Sequence, residues 1–123
     1  MAEVGVTTTD VRAVVERLLR DHGRPTALVA QYAIAVQILD ACAGLGVRVP
    51  DDVSLVALTD SETAHLLRTP MSAIRTDYEL LGSAAAAAMR EALVGQAVVD
   101  QVVPSSVHWI ERDSTGPAPE SFL

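Results

Sequence analysis

The sequence lacks most of what secreted, membrane and disulfide-bonded proteins require. Cys42 is its only cysteine, so no internal disulfide can form, and a reducing compartment is the expected location. No apolar run is long enough to span a bilayer. The N-terminus also lacks the basic segment followed by an apolar one that marks a secretory signal. We therefore expect a cytoplasmic protein without a membrane partner.

Positive charge is also scarce. Lysine and arginine together number 9 against 16 aspartates and glutamates, which gives a formal net charge of -7. Nucleic-acid-binding proteins neutralise phosphates with lysine and arginine, so this balance argues against direct nucleic-acid binding by the chain. Half of the 123 residues are hydrophobic, which allows a buried core, and the length fits one domain.

The motifs of common enzymes and metal sites are absent as well. The sequence contains no GxSxG elbow, no Walker loop and no GxGxxG. His22, His65 and His108 are scattered without the spacing of metal ligands. Cys42 lies in an apolar predicted helix, where a buried, inert thiol is expected rather than a nucleophile. We expect no enzyme activity, no metal site and no cofactor.

What is present is an alternation of helices and strands. Residues 53–58 form a short apolar run, typical of a strand covered on both faces, and Gly44 and Gly46 end the helix before it. The other predicted elements are helices at residues 10–21, 32–43, 62–67 and 77–94, and strands at residues 26–30, 73–75, 98–103 and 107–111. This order predicts an α/β fold with a mostly parallel sheet and helices on both faces. Residues 1–9 are expected to be a loose lead-in and 116–123 a tail.

Two of the predicted helices have unusual surfaces. Residues 32–43 are apolar nearly all round, so this helix is either enclosed by neighbouring elements or meets a second subunit through Val36, Leu39 and Asp40. Thr76 and Glu79 predict a capping box at the start of the last helix. That helix is alanine-rich, and its stripe predicts a closely packed face. The stripe consists of Tyr78, Leu81, Ala85, Ala88, Met89 and Ala92.

Polar residues follow each of the three strands that we expect to be parallel. Gln31 and Tyr32 follow the first, Thr59 and Asp60 the second, and Arg75, Thr76 and Asp77 the third. The carboxyl ends of parallel strands meet at one edge of a sheet, where open α/β folds bind ligands. Candidate contacts for a small molecule that carries hydroxyl groups are therefore Gln31, Tyr32, Thr59, Asp60 and Thr76. The alternative is that Asp60 and Thr76 only cap helices.

Five segments together resemble one known family. They are RPTA (24–27), GVRVPDDVSLVALTD (46–60), TPMSAIR (69–75), ELLG (79–82) and RDST (112–115). In this order and spacing they resemble the C-terminal part of the effector-binding domain of LacI/GalR-type transcriptional regulators, over about residues 10–118.

The resemblance implies a Rossmann-like lobe of a two-lobed, periplasmic-binding-protein-like fold. The ligand, often a sugar or nucleoside-like molecule, lies between the lobes and changes the affinity of an N-terminal helix-turn-helix for operator DNA. The resemblance also implies a homodimer, here through Val36, Leu39, Asp40, Leu66 and Leu67. The helix at residues 77–95 would pack on a first lobe. We expect that lobe and the helix-turn-helix to be missing, as in a truncated product that self-associates through its exposed helix.

The chain departs from the family at two strand ends. Gln31-Tyr32 stands where the family usually has Asn-Asp. Thr59 stands where the family usually has an acidic residue that contacts sugars. These departures imply that the ligand differs or that binding is lost. A stand-alone sugar-binding module and a degenerate interaction domain without ligand are therefore alternatives.

Overall fold

The computed structural model describes residues 10–20, 24–100, 102–104 and 106–119. In chain order the elements are α1 (Val11–Arg20), β1 (Ala27–Ala30), α2 (Tyr32–Gly44), β2 (Ser54–Ala57), a 3₁₀ turn (Ala64–Leu66), β3 (Ser72–Thr76), α3 (Tyr78–Leu93) and β4 (Val107–Ile110).

The strands form one sheet in the order β1-β2-β3-β4. β1, β2 and β3 run parallel, so Ala30 lies beside Ala57 and Ala57 beside Ala73. β4 turns back antiparallel to β3, which places Ile110 opposite Ala73. The predicted α/β fold with a mostly parallel sheet is confirmed. The parallel arrangement brings the ends of β2 and β3 to the same edge.

The core lies where α2 packs against the sheet and α1 packs against α2. Val15 of α1 and Ile38 of α2 are buried with Leu55 of β2 and Ala73 of β3. Cys42 is also fully buried, and burial raises the pKa of its thiol. This agrees with the expectation of an inert cysteine.

Local signals set the ends of several helices. Asp10 Oδ1 accepts hydrogen bonds from the backbone N–H groups of Arg12 and Ala13, at 3.0 and 3.4 Å, and so caps α1. Gly46 and Gly95 follow α2 and α3 with φ of 73° and 77°, a conformation that glycine adopts without strain. No helix in the described ranges is long and apolar enough to cross a membrane.

Three predicted features are corrected by the structure. The N-cap of α3 is Asp77, which accepts from the Leu80 N–H at 2.9 Å, while Thr76 still pairs with Val107 as the last residue of β3. The helix predicted at residues 62–67 is a single 3₁₀ turn. The strand predicted at residues 98–103 is absent from those of its residues that the structure describes. Val102 is 91% exposed there, and β-branched residues form a strand only where a neighbour pairs with them.

Helix α3 has no buried residue. Leu81 and Ala88 of the predicted stripe are half-buried, whereas Tyr78 and Met89 are more than 60% exposed. Within the part of the chain that the structure describes, the apolar stripe of α3 therefore lacks the cover that its composition predicts.

Candidate functional site

A cleft of about 620 Å³ opens where β2 and β3 end. Its walls come from the segment after β2, from the end of β3 and the start of α3, and from the segment after β4. The lining residues are Thr59, Asp60, Ser61, Glu62, His65, Arg75, Thr76, Tyr78 and Arg112.

The structure brings three of the five predicted contacts together in this cleft: Thr59, Asp60 and Thr76. Gln31 and Tyr32 are not among its lining residues. Gln31 is exposed and occupies the N-cap position of α2 without a capping hydrogen bond from its side chain, and the Tyr32 hydroxyl lies 2.8 Å from Thr63 Oγ1. A ligand contact by any of these five residues stays a prediction.

Asp60 is engaged by an arginine that sequence reasoning did not assign to the site. Arg112 Nη1 donates to Asp60 Oδ1 at 2.7 Å, and Arg112 Nη2 donates to Oδ2 at 3.2 Å. The two side chains are 19% and 12% exposed. The hydrogen bond from Arg112 outweighs partial burial and holds the pKa of Asp60 below its usual value. Asp60 is therefore an ionised carboxylate at neutral pH.

Two buried serines hold Arg112 in this position. The Arg112 N–H donates to Ser72 Oγ at 2.9 Å, and its Nη1 donates to the Met71 carbonyl at 2.7 Å. Ser114 Oγ accepts from the Ser72 N–H at 2.8 Å and donates to the Leu55 carbonyl. Ser72 and Ser114 are both fully buried. The segment after β4 is thus fixed to β2 and β3, which aims Arg112 at Asp60.

Other polar groups of the cleft have no such partners. Within the described ranges, the side chains of Arg75, His65 and Glu62 and the hydroxyls of Thr76 and Tyr78 take part in no hydrogen bond or ion pair. Arg75 is exposed, as are His65 and Glu62. These groups can therefore hydrogen-bond to a molecule in the cleft without breaking an existing contact. No group of three or more histidine, cysteine, aspartate or glutamate side chains in the described part could hold a metal.

The predicted dimer residues lie outside the cleft. Asp40 and Leu66 are exposed, Leu66 by 72%, and Val36 is half-buried. Leu39 and Leu67 pack partly against the core, so they offer less free surface.

The chain is similar to proteins of known family. A family model described as "periplasmic binding protein-like domain" matches residues 2–115. The chain is 33% identical over 101 residues to the lactose operon repressor of Escherichia coli (strain K12), which covers 80% of this chain but only 28% of that protein. It is 32% identical over 94 residues to the lactose operon repressor of Rhizobium radiobacter. This match covers 75% of this chain and 83% of that protein.

Solved structures agree with these sequence relatives. A LacI family transcriptional regulator from Bifidobacterium animalis subsp. lactis DSM 10140 superposes with a TM-score of 0.78 at 30% identity, covering 88% of this chain and 40% of that one. A lac repressor dimer bound to operator and the anti-inducer ONPF gives a TM-score of 0.71 at 29% identity, covering 85% and 37%. The chain therefore spans well under half of these longer regulators.

Proposed function

Because the chain belongs to the periplasmic binding protein-like family, as the C-terminal part of a LacI-type effector-binding domain, we propose that it binds a small polar effector. The site is the cleft at the ends of β2 and β3. The single observation that carries this proposal is the meeting of Thr59, Thr76 and Arg75 beside the Asp60–Arg112 pair in one cleft.

The chemistry of the cleft supports binding rather than catalysis. Thr59, Thr76 and Tyr78 offer hydroxyls that both donate and accept hydrogen bonds, as recognition of a polyhydroxylated molecule requires. The one carboxylate fixed within the cleft, Asp60, has a lowered pKa and a bidentate partner, which makes it a poor general acid or base near neutral pH. We therefore propose a sensor without enzyme activity.

In this proposal the effector controls operator binding through a helix-turn-helix that is not among the described residues. Dimerisation is the second part of the proposal. Exposed Leu66 and Asp40 and half-buried Val36 are the candidate contact residues, together with Leu39 and Leu67, which pack partly against the core. The dimeric state of the similar lac repressor supports this part.

One preparation of the chain tests both parts. A thermal-shift screen at pH 7 with neutral sugars, sugar acids, sugar phosphates and nucleosides should give one compound class that raises the melting temperature, because a ligand that binds only the folded state stabilises it. Sedimentation velocity of the same sample at micromolar concentration should give the mass of a dimer. If no compound raises the melting temperature, the alternative of an interaction domain without ligand is favoured. If the sample sediments as a monomer, the proposed dimer is wrong.

A further inference from the structure

Among the free groups of the cleft, Arg75 is the one that can only donate hydrogen bonds. Its guanidinium makes no hydrogen bond or ion pair in the described part of the chain, although its charge helps to lower the pKa of Asp60. The hydroxyls of Thr59, Thr76 and Tyr78 are also uncommitted there, and each can donate or accept. A ligand that satisfies this set must therefore carry acceptors, with the strongest acceptor at Arg75.

The fixed acceptors of the cleft are largely engaged by the protein itself. Asp60 Oδ1 accepts from Arg112 Nη1 and from the Ser61 N–H, and Oδ2 accepts from Arg112 Nη2. Ser61 Oγ is occupied by Thr63. Glu62 is exposed. Asp60 therefore offers a ligand at most one further acceptor site, on Oδ2.

We propose that Arg75 binds an anionic group, a carboxylate or a phosphate, on a polyhydroxylated effector. The inference rests on the proposed function, since it assigns the effector class for the same cleft. Arginine presents donors in a planar fork that matches either anion with two parallel hydrogen bonds. The hydroxyls of Thr59, Thr76 and Tyr78 bind the hydroxyl-bearing part.

The preference for an anion comes from charges inside the cleft and not from the electric field of the whole chain. The chain carries a net charge of -7, so its overall field does not attract anions. Within the cleft Arg112 forms an ion pair with Asp60, whereas Arg75 acts on Asp60 only through its charge and keeps its hydrogen-bond donors available to a ligand. Glu62 also lines the cleft, and its negative charge opposes the binding of an anion there.

Calorimetry with four compounds tests the inference: D-glucose, D-gluconate, D-glucose 6-phosphate and inorganic phosphate. We expect at least one of the two sugar anions to bind about tenfold more tightly than D-glucose, which is the size of one charged hydrogen bond. Arg75→Gln should remove that preference while retaining the hydroxyl contacts. Arg68→Gln is the matched control, because Arg68 is exposed and does not line the cleft.

Comparing the four compounds shows which chemical group of the ligand is bound. Gluconate and glucose 6-phosphate distinguish carboxylate from phosphate, and inorganic phosphate distinguishes an anion alone from an anion on a polyol. Phosphate binding as tight as that of glucose 6-phosphate would overturn the polyol part. Sugar anions that bind no better than D-glucose, or a preference that survives Arg75→Gln, would overturn the role of Arg75. If the sugar anions fail while a neutral compound of the thermal-shift screen binds, this inference fails and the proposed function stands. If nothing binds in either experiment, both fail.

Discussion

Replacing Arg112 with methionine should lower the free energy of unfolding by about 3 kcal/mol at pH 7, the lower end of what breaking a buried ion pair costs. The value lies at the lower end because Asp60 and Arg112 keep 12% and 19% of their side-chain surface exposed. Methionine has similar bulk, so packing is nearly retained while Asp60 and the Met71 carbonyl lose their donor. Urea unfolding followed by fluorescence of Trp109, the only tryptophan, measures the change.

The loss of unfolding free energy caused by Arg112→Met should become smaller as the pH falls. The pKa of Asp60 is lowered in the folded chain, chiefly by its hydrogen bond with Arg112. The ion pair therefore contributes its full stability above the unfolded pKa of about 3.9 and loses it as the pH falls through the lower folded pKa. The difference in free energy of unfolding between wild type and Arg112→Met should therefore decrease from pH 7 towards pH 3. Arg68→Met, an exposed control, should change stability by less than about 0.5 kcal/mol at either pH. A difference in unfolding free energy below about 1 kcal/mol at pH 7 would contradict this account, and so would a difference that stays the same between pH 7 and pH 3.

Replacing Ser114 with alanine should lower the free energy of unfolding by about 2 kcal/mol. The Ser114 hydroxyl is fully buried, accepts from the Ser72 N–H and donates to the Leu55 carbonyl. Alanine leaves the buried Ser72 N–H without this acceptor, and an unsatisfied buried donor costs about 1–3 kcal/mol. The same urea titration measures the effect.

Ser83→Ala is the matched control for this variant. Ser83 is exposed on α3, where alanine is the better helix former, so its replacement should be neutral or slightly stabilising. Equal stability of wild type and Ser114→Ala would show that the segment after β4 is not held by this hydroxyl.

The sequence was enough to predict that Thr59 and Thr76 meet at one edge of the sheet, but not that Arg112 joins Asp60 there. The apolar run at residues 53–58 predicted a buried strand, and parallel pairing then placed Thr59 near Thr76, as the structure has it. Both steps use local patterns and a general rule of open sheets.

The Asp60–Arg112 pair could not be predicted in the same way. The partners are 52 residues apart, and their meeting depends on the register that places β4 antiparallel to β3. The intervening valines gave a false strand signal at residues 98–103, because β propensity carries no information about an available partner. The cap of α3 was missed for a simpler reason: Thr76 and Asp77 are both good caps, and strand pairing retained Thr76.

The most direct test of the central claim, that the polar groups at the strand ends bind the effector, is the affinity of Thr59→Val beside that of Thr69→Val. Both replacements remove one hydroxyl at nearly constant shape. Thr59 lines the cleft, and Thr69, half-buried in the loop before β3, does not. The ligand is the compound of the thermal-shift screen that gives the largest response. The account predicts about tenfold weaker binding for Thr59→Val and wild-type affinity for Thr69→Val. Wild-type affinity in Thr59→Val, or an equal loss in both variants, would contradict it.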